Sequence, residues 1–151
     1  MQLGQKLEKI NFNIDDGSNV SSDEFLGKKL IIYFYPKDDT PGCTKEAIDF
    51  TDHLSQFKKL NTKIIGVSKD SVEKHKKFIS KYSLQINLCA DEDLKLCKFF
   101  KVWVEKSMYG KKYMGIDRST FLFDENLKLI KLWRKVKVNN HVKEILEFLS
   151  S

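Results

Sequence analysis

The sequence predicts an α/β chain: a mixed central sheet flanked by helices, preceded by an N-terminal β-hairpin. Three observations carry this. Residues 30–35 are a continuous apolar run without alternation, as a strand covered on both faces requires, and residues 63–68, around Ile64, Ile65 and Val67, read as the next buried strand. Helical periodicity follows each run, which implies right-handed parallel crossovers. Two late strand patterns, at residues 119–123 and 127–133, are joined only by Asp124, Glu125 and Asn126, so they add antiparallel pairing at one side.

The 151 residues amount to about one domain, and residues 1–151 are read as one. With 41% hydrophobic residues the chain can build a sizeable core. Its net charge of +6 is spread along the chain in ones to threes, without a basic arm, so no nucleic-acid partner is expected. Three Cys is an odd number and no Cys-x-x-Cys occurs, which argues against both a stapled secreted framework and a dithiol redox pair. His53, His75 and His141 are isolated, so no metal site is expected. No apolar leader and no membrane span are apparent, and a reducing, cytoplasmic setting is the expectation.

Taken in order, residues 11–14 alternate and Asp15 to Ser18 turn the chain, giving the hairpin whose return begins at Asn19. Ser21 or Ser22 can cap a short helical turn that Gly27 stops. After the strand at 30–35, Ala47, Ile48, Phe50, Leu54, Phe57 and Leu60 predict one long helix from residue 43 to about 60. Beyond the strand at 63–68, Asp70-Ser71-Val72-Glu73 reads as a capping box opening a helix with Val72, His75, Phe78, Ile79 and Tyr82 on related faces. Residues 86–90 are a short strand, and Asp91 can cap a helix over 92–100. Residues 102–115 read as irregular. The strand at 127–133 alternates in part, which suggests an edge or a wet face. Val142, Ile145, Leu146 and Leu149 make a closing amphipathic helix. A mixed sheet with helices on both faces is a thioredoxin-like arrangement.

The chemistry concentrates at Cys43. Both prolines of the chain, Pro36 and Pro41, stand just before it, and a helical pattern begins there. A thiol in a helix's first turn lies at the positive end of the dipole near free N–H groups, which favours thiolate. Thr40 offers a hydroxyl three residues earlier, and Pro41-Gly42 reads as a turn bringing backbone near the sulfur. The Thr40 hydroxyl and the Cys43 N–H would then act as donors to a small polar substrate. A Pro-Gly turn beside an incidental buried Cys is the plain alternative, as is a surface position for Arg118.

The combination goes further. Pro36, Thr40 and Cys43 match the Pro-x-x-x-Thr-x-x-Cys motif of the peroxiredoxins. The stretch Y-F-Y-P-K-D-D-T-P-G-C-T-K-E-A resembles the bacterioferritin-comigratory-protein, or peroxiredoxin Q, subgroup, as do V-W-V-E-K-S-M-Y-G-K at 102–111 and G-I-D-R-S-T-F-L-F-D at 115–124. The resemblance implies a thiol peroxidase with Cys43 as peroxidatic cysteine. Pro36, Thr40 and Arg118 would complete the site, with Glu46 in support or merely as a solvated first-turn carboxylate. It implies reduction of hydrogen peroxide and organic hydroperoxides through a sulfenic acid, without metal, haem or flavin. Thioredoxin or glutaredoxin/glutathione would supply the reducing thiol, and the subgroup implies a monomer.

One departure stands out. The positions where relatives keep a resolving Cys are Ile48 and Ile79 here. Cys89 and Cys97 remain, each in an apolar context that reads as packing. The expectation is a one-Cys cycle closed by an external thiol. The alternatives are an atypical two-Cys enzyme using Cys97 or Cys89, or a non-catalytic thiol sensor. A dithiol oxidoreductase would need a Cys where Glu46 stands, and a Cys-x5-Arg phosphatase an Arg where Asp49 stands.

Overall fold

A computed structural model describes residues 1–151. The hairpin forms as β1 (Asn11–Asn13) and β2 (Asn19–Ser21). A 3-10 turn over Ser22–Phe25 follows, closed by a capping box in which Ser21 and Glu24 satisfy each other's backbone N–H groups. Strand β3 (Lys29–Phe34) leads to α1 (Pro41–Asp52) and α2 (Leu54–Lys59). Next come β4 (Thr62–Ser68), α3 (Val72–Tyr82), β5 (Asn87–Ala90) and α4 (Lys95–Phe99). A second hairpin, β6 (Trp103–Met108) and β7 (Lys111–Ile116), precedes β8 (Ser119–Phe123), β9 (Leu129–Trp133) and α5 (His141–Ser150).

The five-stranded sheet has the order β5-β4-β3-β8-β9. Strands β3, β4 and β5 run parallel, as crossover helices require, and β8 and β9 add antiparallel. The partly alternating last strand is indeed at the edge. Because side chains alternate across a strand, β3 divides the core in two. Leu30, Ile32 and Phe34 face a cluster closed by α4 and the N-terminal hairpin, which also holds Cys89 and Cys97. Ile31, Tyr33 and Tyr35 face a cluster closed by α1, α2, α3 and α5, which holds Cys43. Inside α5, His141 is buried with Nε2 2.8 Å from Thr120 Oγ1. Burial pulls its imidazole down to about 4.

Several expectations are corrected. The long helix breaks at His53, whose ring nitrogen lies 2.8 Å from Asp49 O and whose backbone leaves the helical region (φ −103, ψ 10). Apolar spacing runs through the break, since Phe50 and Phe57 still pack 5.8 Å apart. His53 is therefore a helix terminus, not a mid-helix residue. Helix α1 also starts earlier: Pro41 and Gly42 are its first two residues rather than a turn, with Pro where a missing N–H costs nothing. Ser71, not Asp70, caps α3, accepting from Lys74 N at 3.2 Å. The helix expected over 92–100 is only α4, because Leu94 is left-handed (φ 62) and the Asp91 carboxylate takes the N–H groups of Leu96 and Cys97 at 3.0 and 2.8 Å.

The segment read as irregular, 102–115, is the β6–β7 hairpin. Its turn residues Tyr109 and Gly110 both have positive φ (52 and 79), as tight hairpins favour. Lysines on both faces hide its alternation. The last strand starts at Leu129, since Leu127 is left-handed (φ 60).

Gly66 on β4 lies opposite Tyr33. A Cβ there would stand 2.7 Å from Tyr33 Cζ and 2.9 Å from Leu88 Cδ2, so the glycine admits the tyrosine ring. Gly66→Ala is expected to destabilise the chain by about 1–3 kcal/mol through overpacking. Urea unfolding should show a lower midpoint at unchanged slope, and an unaltered midpoint contradicts this packing account.

Candidate active site

Strand β3 ends at Phe34, and Tyr35 still donates its N–H to Val67 O at 3.1 Å. Pro36 has no N–H to continue the ladder, so the chain turns away there. Thr40 is the N-cap of α1, though its side chain makes no capping bond. Its hydroxyl donates instead to Lys37 O at 2.8 Å. That corrects the expected role as donor: with its hydrogen spent, the Thr40 oxygen is left as an acceptor.

Cys43 is the third residue of α1 and only 2% exposed. By helix geometry the N–H groups of Gly42 and Cys43 have no intrahelical acceptor, which leaves two unspent donors in the same turn as the sulfur. Arg118 arrives from the link between β7 and β8. Its Nη2 donates to Cys43 Sγ at 3.3 Å and its Nη1 to Glu46 Oε1 at 2.7 Å. A guanidinium N–H aimed at sulfur stabilises negative charge on it, in surroundings that water barely enters. Gly42 eases the approach, because a Cβ there would lie a tight 3.3 Å from Arg118 Nη2. Arg118 is thus no surface residue; its side chain is 16% exposed.

Glu46 is not the solvated first-turn carboxylate of the plain reading. It is fully buried one turn below Cys43, and its Oε2 has no partner. Burial pushes its carboxyl up to about 7 even with the guanidinium beside it. The guanidinium loses some basicity to burial, but Glu46 and Cys43 outweigh that and hold it above its ordinary value. Tyr33, stacked on Phe50 at 4.6 Å, also carries a buried hydroxyl without a partner. The strand's apolar run gave no sign of that.

The structure does not bring every candidate together. Cys89 and Cys97 belong to the core on the opposite face of the sheet from Cys43. Burial pushes the Cys89 thiol up to about 12 and raises that of Cys97 as well, where the Asp91 carboxylate adds to the effect. Ile48 and Ile79 pack against the Cys43 side of the core. Trp103 packs on the opposite core, with Lys69 Nζ 5.7 Å from its ring centroid. No group of three His, Cys, Asp or Glu is disposed to hold a metal ion.

Sequence reasoning passed over Asp38 and placed His75 on a helix face with Val72, Phe78, Ile79 and Tyr82 without giving it a partner. Both are buried and they meet: His75 Nδ1 lies 2.6 Å from Asp38 Oδ2. The one available signal was a histidine three residues before Phe78 on an apolar face.

Glu46 and His141 imply opposite pH dependences. Between 4.5 and about 7 folded Glu46 keeps a proton the unfolded chain has lost, so its contribution to stability falls as pH rises. Between about 4 and 6.5 folded His141 lacks a proton the unfolded chain carries, so its contribution rises with pH. Each slope reaches at most about 1.4 kcal/mol per pH unit. Where the windows overlap they nearly cancel. Glu46→Gln keeps an acceptor for Arg118 and removes one slope. Its stability, followed by urea unfolding from pH 4.5 to 6.5, should rise with pH more steeply than that of the parent; parallel curves contradict the burial of a titrating Glu46.

The AhpC/TSA family model matches residues 3–132. Peroxiredoxin Bcp of Bacillus subtilis is 50% identical over 149 residues, covering 99% of this chain and 95% of that one. Peroxiredoxin Bcp of Escherichia coli K12 is 37% identical, covering 99% and 96%. Among solved structures, the bacterioferritin comigratory protein of Xanthomonas campestris superposes with a TM-score of 0.89 at 42% identity, covering 93% and 90%. PrxQ of Xylella fastidiosa reaches 0.95 at 36% identity, covering 99% and 96%.

Proposed function

This chain belongs to the AhpC/TSA family and is a thiol-dependent peroxidase of the peroxiredoxin kind, and on that premise we propose that Cys43 is its peroxidatic cysteine in a one-Cys cycle closed by an external thiol. The observation that carries the proposal is the Arg118 Nη2 to Cys43 Sγ contact at 3.3 Å. The Cys43 thiolate attacks the terminal peroxide oxygen. An S–O bond forms, the O–O bond breaks, sulfur is oxidised by two electrons, and the departing oxygen takes a proton as water or alcohol. Arg118 and the first-turn N–H groups are suited to the negative oxygens, while the Thr40 oxygen can accept the hydroperoxide's own hydrogen. Pro36 ends the strand so that the loop can present these groups. Glu46 holds the guanidinium.

The sulfenic acid then condenses with an external thiol, releasing water and leaving a mixed disulfide that a second thiol clears. Ile48 and Ile79 in the positions of the relatives' resolving cysteines support this reading, and so does the sheet between Cys43 and the other two thiols. Thioredoxin or glutaredoxin/glutathione fits as the reductant. The solved Xanthomonas protein is described for its alkyl peroxide reduction activity, which supports organic hydroperoxides beside hydrogen peroxide as substrates. Residues 1–151 would act as one monomeric domain in a reducing compartment such as the cytoplasm. No helix is long and apolar enough to cross a membrane.

Rapid mixing with one equivalent of hydrogen peroxide tests the assignment. Cys43→Ser should abolish single-turnover peroxide loss, while Cys89→Ser and Cys97→Ser keep it. Arg118→Ala should slow the parent reaction on the order of 100-fold, as loss of one preorganised donor does. Fast peroxide consumption by Cys43→Ser would refute the role given to this cysteine.

Mass spectrometry of the oxidised, alkylated protein tests the resolution step. Cys43 sulfenic acid should persist until a small thiol is added and then appear as a mixed disulfide, and excess peroxide should carry it to sulfinic acid. A stoichiometric Cys43–Cys97 or Cys43–Cys89 crosslink would make the enzyme a two-Cys peroxidase instead.

A further inference from the structure

The loop that leads into α1 is anchored to α3 by two consecutive carboxylates. Asp38 donates its backbone N–H to Asp70 Oδ2 at 2.9 Å, accepts the Tyr35 hydroxyl on Oδ1 at 2.5 Å, and sets Oδ2 2.6 Å from His75 Nδ1. The other His75 nitrogen, Nε2, lies 3.0 Å from Cys89 O at the end of β5. Asp39, held left-handed (φ 59), takes Lys81 Nζ at 2.7 Å and the Tyr82 hydroxyl at 2.5 Å. The next residue is Thr40, and Cys43 stands in the first turn beyond it.

The two anchors differ in weight. The Asp39 carboxylate and Lys81 ammonium are well exposed (41% and 59%), so water screens and competes for them. The His75 side chain is fully buried and that of Asp38 is 6% exposed, so breaking their contact leaves dry polar groups with only the Tyr35 hydroxyl, 3.4 Å from Nδ1, at hand. The hydrogen inventory is tight. A carbonyl only accepts, so Nε2 carries a hydrogen, and Tyr35 gives its own to Oδ1. One proton must therefore lie between Nδ1 and Oδ2, since two lone pairs do not face each other at this separation. At 2.6 Å and with water excluded, the bridge is a short hydrogen bond in surroundings that strengthen it.

Cys43 needs two different settings. Attack on peroxide needs Thr40, the first-turn N–H groups and Arg118 held in place, whereas an external thiol must reach the sulfur of a residue that is only 2% exposed. We propose that Asp38 and His75, seconded by Asp39 with Lys81 and Tyr82, form a latch between the peroxidatic loop and α3, and that both Asp38 and His75 are positioning residues for the peroxidase reaction. The latch closed, the loop is set for the peroxide; the latch released, the sulfur opens to a reducing thiol. The proposal rests on Cys43 being the peroxidatic cysteine.

Three rates test the latch in the full-length protein. They are oxidation of Cys43 by hydrogen peroxide, reaction of its sulfenic acid with dithiothreitol, and alkylation of reduced Cys43 by a bulky maleimide. Asp38→Ala should slow the first and speed the other two, each on the order of 10-fold or more. Asp38→Asn should restore parent-like rates, because its amide can donate to Nδ1 while its oxygen still accepts from Tyr35. Asp39→Ala should shift the three rates in the same opposed directions by less, and it decides the matter if Asp38→Ala does not fold. A melting temperature that drops with all three rates unchanged, or rates that all move one way, would mean the pair merely stabilises the fold and would overturn the latch. A parent protein that ignores peroxide would refute the role of Cys43 instead, while maleimide access would still report whether Asp38 holds the loop.

Discussion

The site turns on one guanidinium placed between a buried carboxyl and a buried sulfur. Arg118 gives Nη1 to Glu46 and Nη2 to Cys43, so each contact fixes the orientation of the other. Planarity matters here, since a lysine could not hold two donors at a set angle. Much of the local structure follows from making room for this plane. Gly42 lacks the Cβ that would press on Nη2, and α1 begins at Pro41, so the sulfur falls in the first turn, opposite the point where the chain enters β8. Glu46 reaches the same guanidinium from one helical turn further on. Its burial would be costly without that partner.

The sheet gives the molecule two chemically different interiors. The side closed by α1, α2, α3 and α5 holds Cys43, with buried Glu46 one helical turn away and the Arg118 guanidinium against both. The side closed by α4 and the hairpins holds Cys89 and Cys97 among aromatic and aliphatic neighbours, with the Asp91 carboxylate spent on the first N–H groups of α4 beside them. Strand alternation alone decides which side a residue joins. Leu88 and Cys89 are consecutive and face opposite interiors.

What could be read from the sequence was what depends on near neighbours. The apolar runs at β3 and β4, the Ser21 cap and the helical surroundings of Cys43 are set by residues within a few positions of one another. The family motif added Arg118, which no local pattern would have singled out. Illegible features came from side chains that override a pattern or act across long separations. His53 interrupts a helix whose apolar spacing continues unbroken, and the lysines of β6 and β7 mask an alternating hairpin. The Asp38–His75 contact joins residues 37 positions apart. For Glu46 the sequence left support of the site and a solvated first-turn carboxylate both open, because its burial depends on the packing of β8 against β3 that brings Arg118 to it.

The partition of thiols across the sheet carries a kinetic consequence. A cysteine within reach acts on a sulfenic acid at a high effective concentration, whatever the surrounding solution contains. Under the proposed one-Cys cycle the sheet withholds that help, so condensation is bimolecular and races against a second peroxide molecule. The fate of each oxidised chain is then set by the ratio of free thiol to peroxide around it. Where thiol is plentiful the protein turns over. Where peroxide outruns thiol it passes to the sulfinic state and stops. Such a peroxidase behaves as a fuse, counting the moments when reducing supply fell short.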